Sequence, residues 1–531
     1  MSKHAWGCGA VIAALSAALL VTGIAPVAAK VTRLEITSKQ PYGSFRTGDY
    51  VVWHGKVHGE LAPTEAIPDI DKPQRNARGQ VEYSSRIILF MPADMSKANG
   101  TLLVDIPNRG NAYSRALYNS PRDEPYLAGN IQQGTGFLED RGFLTAEVNW
   151  ELGKGADLPS FVDAEGKKRF VEGVGFAIVR DPADFLAHGA ADSVNTPNPM
   201  RGSVKRVLAS GKSQTGRFLK TFLYYGFNQV DGKRLFDGMH IFVSAAGMLP
   251  IMQSGTGPNS SADAGASFDV PEFRGVNEGP FTPAEILAKV EARGETPPKL
   301  VMINSQSDYL SLRASLSRTG AEGTADRPIP ANVRVYDIPG GSHVRVMDSR
   351  GCKLAPSNLD WTPVSRATFL KLNEWVASNA QPPANRLMAL EPATGDPNVL
   401  RAPQHLPKSV IQQPQRDTGG NSLSGGVRLP DLVAPLGTHT AQNLPLSRGC
   451  MLLGAYVPFA KTKAEREAAN DTRPSLAELY RNRDEYVNKI RMAARELEQA
   501  GFLLPEDSAI IIQAAASNPI LRPAGPGGNA Q

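Results

Sequence analysis

The pattern of apolar and polar positions divides the chain into a β-rich beginning and a longer region in which strands and helices alternate. Between residues 30 and 95, short runs of β-branched and aromatic residues, such as Val31–Thr37, are separated by Gly and Pro clusters. This pattern predicts an antiparallel lead-in sheet. Thr101–Pro107 and Phe143–Trp150 are continuous apolar runs of the length that buried strands have.

Further along, runs with strand character alternate with runs whose apolar residues recur at helical spacing. The predicted strands are Val204–Ala209, Met239–Ala245, Leu300–Ile303 and Val333–Ile338, and the predicted helices are Thr135–Arg141, Asp181–His188, Gln214–Tyr225 and Pro363–Ala380. Alternation of this kind predicts the α/β class, with a mostly parallel sheet and helices on both faces.

Two stretches depart from the alternation and predict additions to a single domain of residues 30–531. Residues 248–298 are rich in Gly, Ser and Asn at first and helical near their end, which predicts a cap inserted over the site. Residues 384–531 are loop-rich and then helical, which predicts an extension that packs on the core. Its clearest helix begins at a Ser475–Glu478 capping box and its apolar stripe continues to Leu497.

The N-terminus predicts an exported protein. A short basic start precedes the apolar run Ala10–Val21, and Val27-Ala28-Ala29 has the small residues that signal peptidase requires. We therefore expect residues 1–29 to be a signal peptide and the mature protein to be periplasmic or extracellular in a bacterium. No other run is long and apolar enough to span a bilayer.

The composition is that of an ordinary globular protein, with 41% hydrophobic and 21% charged residues among 531. The net charge of +5 is small for this length and Lys and Arg form no runs, so nothing indicates a nucleic-acid partner. Export would leave two cysteines, Cys352 and Cys450. These could pair in an oxidising compartment; two separate buried thiols are the alternative.

Candidate chemistry begins at Ser213. The run Val204–Ala209 reads as a strand, Gly211 and Ser213 as a sharp turn, and the residues from Gln214 onward as a helix. A serine at such a turn stands clear of the sheet beside the N–H groups of the helix start, which is how a serine hydrolase presents its nucleophile. The glycine expected two residues after the serine comes one residue later, at Gly216.

A serine nucleophile needs a base and an acid. His343 follows the late strand Val333–Ile338 in a Gly-rich loop, and Asp308 follows the strand Leu300–Ile303, so the three occur in the order Ser, Asp, His. Asp337 is a rival acid with poorer placement in mid-strand, and His439 is a distant second candidate for the base.

Two backbone N–H groups should stabilise the oxyanion. We expect one from Gln214, directly after the nucleophile, and the other from Arg109 or Gly110 in the loop after Thr101–Pro107. Arg217, in the first helical turn, is either structural or a contact for an anionic group of the substrate. No HExxH, CxxC or P-loop pattern occurs, so we predict no metal and no cofactor.

These motifs resemble a large exported bacterial branch of the α/β-hydrolase superfamily. The resemblance covers nearly all of the mature chain and is carried by Pro107–Asn111, Gly211–Arg217, the Asp308 loop, Gly341–His343, Trp375–Pro383, Leu429–Pro430, Pro435–Thr438, Tyr456–Phe459 and Asp471–Leu476. It implies the fold and a Ser-Asp-His site. Members more often have serine at the position of Thr215 and glutamate at that of Asp308. The resemblance implies no particular substrate.

The sequence therefore predicts a cofactor-independent hydrolase that cleaves a small-molecule carboxylic ester through an acyl-enzyme. Two other functions remain open at this point. An acyltransferase would use the same triad to deliver the acyl group to an alcohol, and a non-catalytic binding protein could have the same fold.

Overall fold

The computed structural model describes residues 30–119, 133–252, 282–320, 323, 325–345, 351–393, 411–441, 443 and 448–519. The predicted signal peptide, and residues 253–281 of the predicted cap insertion, lie outside these ranges. Within the described ranges, no helix is long and apolar enough to cross a membrane.

The strands are β1 (Lys30–Phe45), β2 (Gly48–Leu61), β3 (Val81–Pro92), β4 (Thr101–Asp105), β5 (Leu144–Val148), β6 (Ala156–Asp157), β7 (Ser160–Val162), β8 (Lys168–Phe170), β9 (Arg206–Lys212), β10 (Gln229–Val230), β11 (Lys233–Arg234), β12 (Gly238–Phe242), β13 (Lys299–Ser305), β14 (Val333–Ile338), β15 (Leu390–Pro392), β16 (Gln412–Pro414), β17 (Gly437–Thr440) and β18 (Ala455–Pro458).

The helices are α1 (Tyr113–Asn119), α2 (Val174–His188), α3 (Gln214–Tyr224), α4 (Pro283–Ala292), α5 (Gln306–Ser311), α6 (Leu316–Thr319), α7 (Thr362–Ser378), α8 (Pro430–Val433), α9 (Arg448–Leu453), α10 (Lys463–Ala468), α11 (Leu476–Leu479), α12 (Arg483–Gln499) and α13 (Pro505–Ser517).

A single ten-stranded sheet organises the fold. Its order is β1-β2-β3-β5-β4-β9-β12-β13-β14, and β6 pairs with β3. Neighbouring strands from β5 to β14 are parallel, whereas β1, β2 and β3 are antiparallel to one another and β3 is antiparallel to β5. The predicted α/β class with a mostly parallel sheet is confirmed.

The chain reverses its direction across the sheet between β4 and β9. β5 lies on one side of β4, and β9, β12, β13 and β14 follow on the other side. In open α/β sheets, the carboxyl ends of the strands at such a reversal border a crevice in which ligands bind. The loops that follow β4 and β9 hold Asn108–Asn111 and Ser213, so the sheet places both at this crevice.

Apolar side chains on both faces of the sheet are buried under helices. One cluster includes Phe176 of α2 and Phe218 of α3, and the other includes Phe369 and Trp375 of α7. Burying one such side chain stabilises a fold by roughly 1.5–3 kcal/mol. Phe502, between α12 and α13, belongs to the second cluster, so the C-terminal extension contacts the core. The assignment of residues 30–531 to one domain stays a prediction.

Several predicted element boundaries were wrong. The predicted helix Thr135–Arg141 is only a 3₁₀ turn at its end. The predicted strand Met239–Ala245 stops at Phe242, because Val243 and Ala245 have positive φ angles of 43° and 48°, which end the extended conformation. By contrast, β14 begins and ends at the predicted residues.

The helix predicted from Ser475 to Leu497 is broken into α11 and α12. Tyr480 ends α11 in an extended conformation, with φ −135° and ψ 123°. The Asn482 side chain then accepts a hydrogen bond from Glu485 N, 2.9 Å away, and begins α12 as its N-cap. One continuous apolar stripe therefore spans two helices.

Candidate active site

Ser213 lies in the turn between β9 and α3, in a conformation that few residues other than glycine adopt. Its backbone angles are φ 59° and ψ −111°. The turn is held at both ends: Ser213 N donates to Phe242 O of β12 at 2.9 Å, and Ser213 O accepts from Arg217 N at 3.0 Å. A strained backbone of this kind costs roughly 1–3 kcal/mol and persists only where its surroundings enforce it.

Close packing explains the glycine pattern around the nucleophile. A Cβ atom at Gly211 would lie 2.5 Å from Thr215 O, and one at Gly216 would lie 2.9 Å from Ser244 Cβ. Both positions therefore require glycine. Position 215 does not, and the Thr215 hydroxyl accepts from Lys212 N at 3.0 Å and donates to Lys212 O at 3.2 Å. At the position where the usual motif has glycine, this chain therefore has a threonine whose hydroxyl group closes the turn.

The structure brings Ser213, His343 and Asp308 together. His343 Nε2 lies 2.9 Å from Ser213 Oγ, and His343 Nδ1 lies 2.6 Å from Asp308 Oδ1. The carboxylate can only accept, so this bond places the imidazole proton on Nδ1 and leaves the Nε2 lone pair facing the serine. Asp308 is fully buried, His343 is 3% exposed, and Ser213 is half-buried.

Asp308 lies in the first turn of α5 rather than in the predicted loop, and Ser305, three residues before it, fixes its carboxylate. Ser305 N and Ser305 Oγ both donate to Asp308 Oδ2 at 2.8 Å. Ser305 Oγ also lies 3.0 Å from Ser307 Oγ, which accepts from His343 N at 2.7 Å. One hydrogen-bonded chain therefore positions both the acid and the histidine backbone. Sequence reasoning missed these serines, although Ser305 and Asp308 have the spacing of a capping box.

The loop that carries His343 is anchored along its length. Gly340, with φ 70°, donates its N–H to Gln306 Oε1 at 2.6 Å. Gly341 O accepts from Ser307 N at 3.1 Å, and Ser342 O accepts from Trp361 Nε1 at 3.1 Å. The histidine therefore sits on a rigid support, as a general base requires for accurate placement.

The two rival residues lie elsewhere. Asp337 is buried and accepts from Tyr309 Oη at 2.7 Å and from Arg318 Nη1 at 3.2 Å; burial raises its pKa above the ordinary value. The His439 Cβ packs against Gly340, behind the histidine loop, and burial lowers the pKa of its imidazole to about 4. Asp337 therefore binds buried partners away from Ser213, and His439 packs against the loop that carries His343.

Lys220 of α3 is another residue that sequence reasoning missed. Its ammonium is buried and donates to Ala245 O at 2.7 Å and to Ser244 O at 3.3 Å. Desolvation lowers its pKa well below the ordinary value, and the nearby Arg217 charge lowers it further. These bonds hold the loop after β12, whose Ser244 packs against Gly216 of the nucleophile turn.

The predicted oxyanion donors lie at the two loops that border the crevice. Gln214 is the first residue of α3, where backbone N–H groups have no partner within the helix. Arg109 and Gly110 form the tip of the loop after β4, with φ angles of 50° and 81°. Arg217 lies in the first turn of α3 and is half-buried. Their contacts to a substrate stay predictions.

A disulfide joins Cys352 to Cys450 of α9, with the two Cα atoms 5.6 Å apart. Val344, the residue directly after His343, packs against this disulfide. Val344 N also donates to Leu452 O of α9 at 3.2 Å. The bridge therefore ties the segment after His343 to the C-terminal extension.

Among the described residues, no group of three or more His, Cys, Asp or Glu side chains is placed to hold a metal ion.

Comparison with protein families identifies the fold family. A family model described as "Alpha/beta hydrolase domain" matches residues 61–513. The chain belongs to this alpha/beta hydrolase family. The resemblance noted from the sequence motifs is thereby confirmed at the level of the family, and membership supports hydrolase activity.

Several solved structures are also similar to the chain. An S-formylglutathione hydrolase from Staphylococcus aureus is 10% identical and has a TM-score of 0.27, with 57% of this chain and 91% of that chain covered. A rice cell wall degrading esterase from Xanthomonas oryzae is 10% identical and has a TM-score of 0.27, with 57% of this chain and 90% of that chain covered. An S-formylglutathione hydrolase from Agrobacterium tumefaciens is 11% identical and has a TM-score of 0.26, with 57% of this chain and 91% of that chain covered. A search of curated proteins gave no match.

Proposed function

We propose that this protein is a serine hydrolase that cleaves carboxylic esters through an acyl-enzyme. The observation that carries the proposal is the placement of His343 between Ser213 Oγ, at 2.9 Å, and Asp308 Oδ1, at 2.6 Å. These distances lie within the range in which a base accepts a proton from its nucleophile while an acid orients it.

In the acylation step, Ser213 Oγ attacks the ester carbonyl carbon while His343 Nε2 takes the hydroxyl proton. Asp308, fully buried and fixed by Ser305, stabilises the imidazolium that forms. The carbonyl oxygen becomes an oxyanion beside the N–H of Gln214 and that of Arg109 or Gly110. The imidazolium then gives its proton to the leaving alcohol, and the ester C–O bond breaks.

In the deacylation step, water replaces the alcohol. His343 takes a proton from the water as it attacks the acyl carbon, and the carboxylic acid leaves when Ser213 Oγ regains its proton. Each oxyanion donor contributes about 3 kcal/mol of transition-state stabilisation in hydrolases of this type. Arg217, half-buried at the start of α3, is proposed as the contact for an anionic group of the substrate.

The test uses Ser213→Ala and a fluorophosphonate probe on the mature protein. We expect the wild-type protein to hydrolyse p-nitrophenyl esters and to be labelled at Ser213, and we expect the variant to lose roughly 10⁴-fold or more in kcat and all labelling. Unchanged turnover by Ser213→Ala would refute the proposal. Transfer of the acyl group to an added alcohol faster than to water would identify an acyltransferase instead.

We also propose that the protein is exported after removal of residues 1–29. The disulfide between Cys352 and Cys450 supports this proposal, because disulfides persist in oxidising compartments. The N-terminal sequence of the protein recovered from the periplasm or medium should begin at Lys30. Recovery of the intact N-terminus from the cytoplasmic fraction would contradict it.

A further inference from the structure

Asn108 is a buried polar residue to which the catalytic steps above assign no role. It is 5% exposed and lies at the start of the loop after β4. Its side-chain Nδ2 donates to Lys212 O at 3.0 Å, and its Oδ1 accepts from Arg109 Nη1 at 3.0 Å. Asn108 therefore connects the loop of one proposed oxyanion donor to the residue that precedes the nucleophile.

The loop itself is a closed two-residue turn. Asn108 N donates to Asn111 O at 2.9 Å, and Asn111 N donates to Asn108 O at 3.0 Å. The two central residues, Arg109 and Gly110, both have positive φ angles, as in a type I′ turn. The hydrogen bonds that close the turn do not use the N–H groups of these two residues. The turn thus places these two residues at its tip.

The Asn108 side chain takes the place of a backbone group in the sheet. The parallel ladder between β4 and β9 ends where Ile106 N donates to Ser210 O at 3.1 Å. The next bond donated from the β4 side of a parallel ladder would join residues two further along each strand, Asn108 N and Lys212 O. Because Asn108 N is used inside the turn, its side-chain amide makes this bond instead. The chain can therefore turn away while remaining tied to β9.

We propose that Asn108 is a positioning residue that sets the distance between the two halves of the oxyanion hole. One half is the N–H of Gln214, after the nucleophile, and the other is the N–H of Arg109 or Gly110 at the tip of the turn. Without the Asn108 bond, the turn loses its tie to Lys212 O, and the Trp150 Nε1 bond to Pro107 O, at 2.9 Å, does not fix its position relative to β9. A misplacement of about 1 Å in a catalytic constellation can cost about 100-fold in rate. This inference rests on the proposed function.

The test compares Asn108→Ala with Asn99→Ala. The Asn99 side chain donates to Arg141 O at 2.8 Å and accepts from Thr101 N at 2.8 Å, so it also joins backbone groups, but at the opposite end of β4. We expect Asn108→Ala to lower kcat for a p-nitrophenyl ester by 10- to 100-fold and to change KM by less than about threefold. We expect Asn99→Ala to leave both constants within about twofold.

Two readouts separate positioning from a general structural defect. Affinity for a short-chain alkyl trifluoromethyl ketone, whose serine adduct carries an oxyanion, should weaken in Asn108→Ala by the same factor as kcat. The acid limb of the kcat/KM–pH profile should stay in place, because the bonds of His343 are unchanged. If the alanine variant does not fold, Asn108→Asp, which keeps the shape, lacks the donor and adds a negative charge, should lower kcat and the affinity for the ketone together by at least as much.

Equal kcat and equal ketone affinity in Asn108→Ala and Asn99→Ala would overturn the inference while leaving the proposed function intact. Failure of the proposed function would appear separately, as turnover by Ser213→Ala or as absence of labelling in the wild-type protein.

Discussion

Ser213→Ala and Ser213→Gly both remove the nucleophile, and the strained backbone of Ser213 predicts that the glycine variant is the more stable of the two. Ser213→Ala keeps a Cβ atom at φ 59° and ψ −111°, whereas Ser213→Gly relieves the strain. Both variants lose the hydroxyl and its bond to His343, so this loss cancels in the comparison. The difference in unfolding free energy between them isolates the backbone term.

The magnitude follows from two opposing contributions. Release of strain at such a position is worth roughly 2 kcal/mol, the middle of a range of about 1–3. The extra chain entropy that glycine loses on folding offsets roughly 0.7 kcal/mol of this gain. We therefore expect Ser213→Gly to be more stable than Ser213→Ala by about 1 kcal/mol. At an unstrained position the order would be reversed.

Urea-induced unfolding followed by tryptophan fluorescence measures the difference, since Trp150, Trp361 and Trp375 are buried and report on the core. The matched control is the same pair at Ser378, an exposed residue in the last turn of α7, where alanine should be the more stable by roughly 0.5–1 kcal/mol. If alanine were the more stable residue at both positions, the argument from strain would be refuted.

The nucleophile turn and the buried carboxyl groups of the sheet give two further predictions. Thr215→Val removes the acceptor of Lys212 N and should lower the free energy of unfolding in urea by roughly 1–3 kcal/mol. Thr215→Ser keeps the hydroxyl and should lower it by less than about 1 kcal/mol. Equal losses would show that the hydroxyl does not hold the turn. Burial raises the pKa of Glu147 to about 8, and the nearby Asp105 carboxylate adds to this rise. The contribution of Glu147 to the free energy of unfolding is therefore fully present below about pH 4.5 and is lost as the pH rises through 8. Glu147→Gln should reduce the fall of stability between pH 5 and 8 by up to about 1.4 kcal/mol per pH unit in urea titrations, and exposed Glu82→Gln should leave it unchanged.

The catalytic candidates could be found from the sequence because each follows a strand. Ser213, Asp308 and His343 come after β9, β13 and β14, and parallel strands bring their carboxyl ends to one edge of the sheet. Chain order and strand character were therefore enough to predict that the three residues meet. The same reasoning gave the α/β class, because apolar periodicity reports which faces of an element are buried.

The supporting residues could not be found in this way, because their roles depend on contacts between distant segments. Asn108 and Lys212 are 104 positions apart and Lys220 and Ala245 are 25 apart, and periodicity carries no information on such pairs. The break at Tyr480 was missed for a different reason. An apolar stripe shows which face is buried but not where a local side-chain bond, such as that of Asn482, restarts the helix.

The link between the histidine segment and α9 has a consequence for when the proposed exported protein becomes active. A chain that enters an oxidising compartment from its N-terminus delivers β1 to β14 before Cys450 and Leu452. Until those residues arrive, the segment after His343 lacks both its disulfide partner and the carbonyl that Val344 N binds. The base therefore gains its full support only after the C-terminal extension has arrived. Activity would thus report that export of the chain is complete.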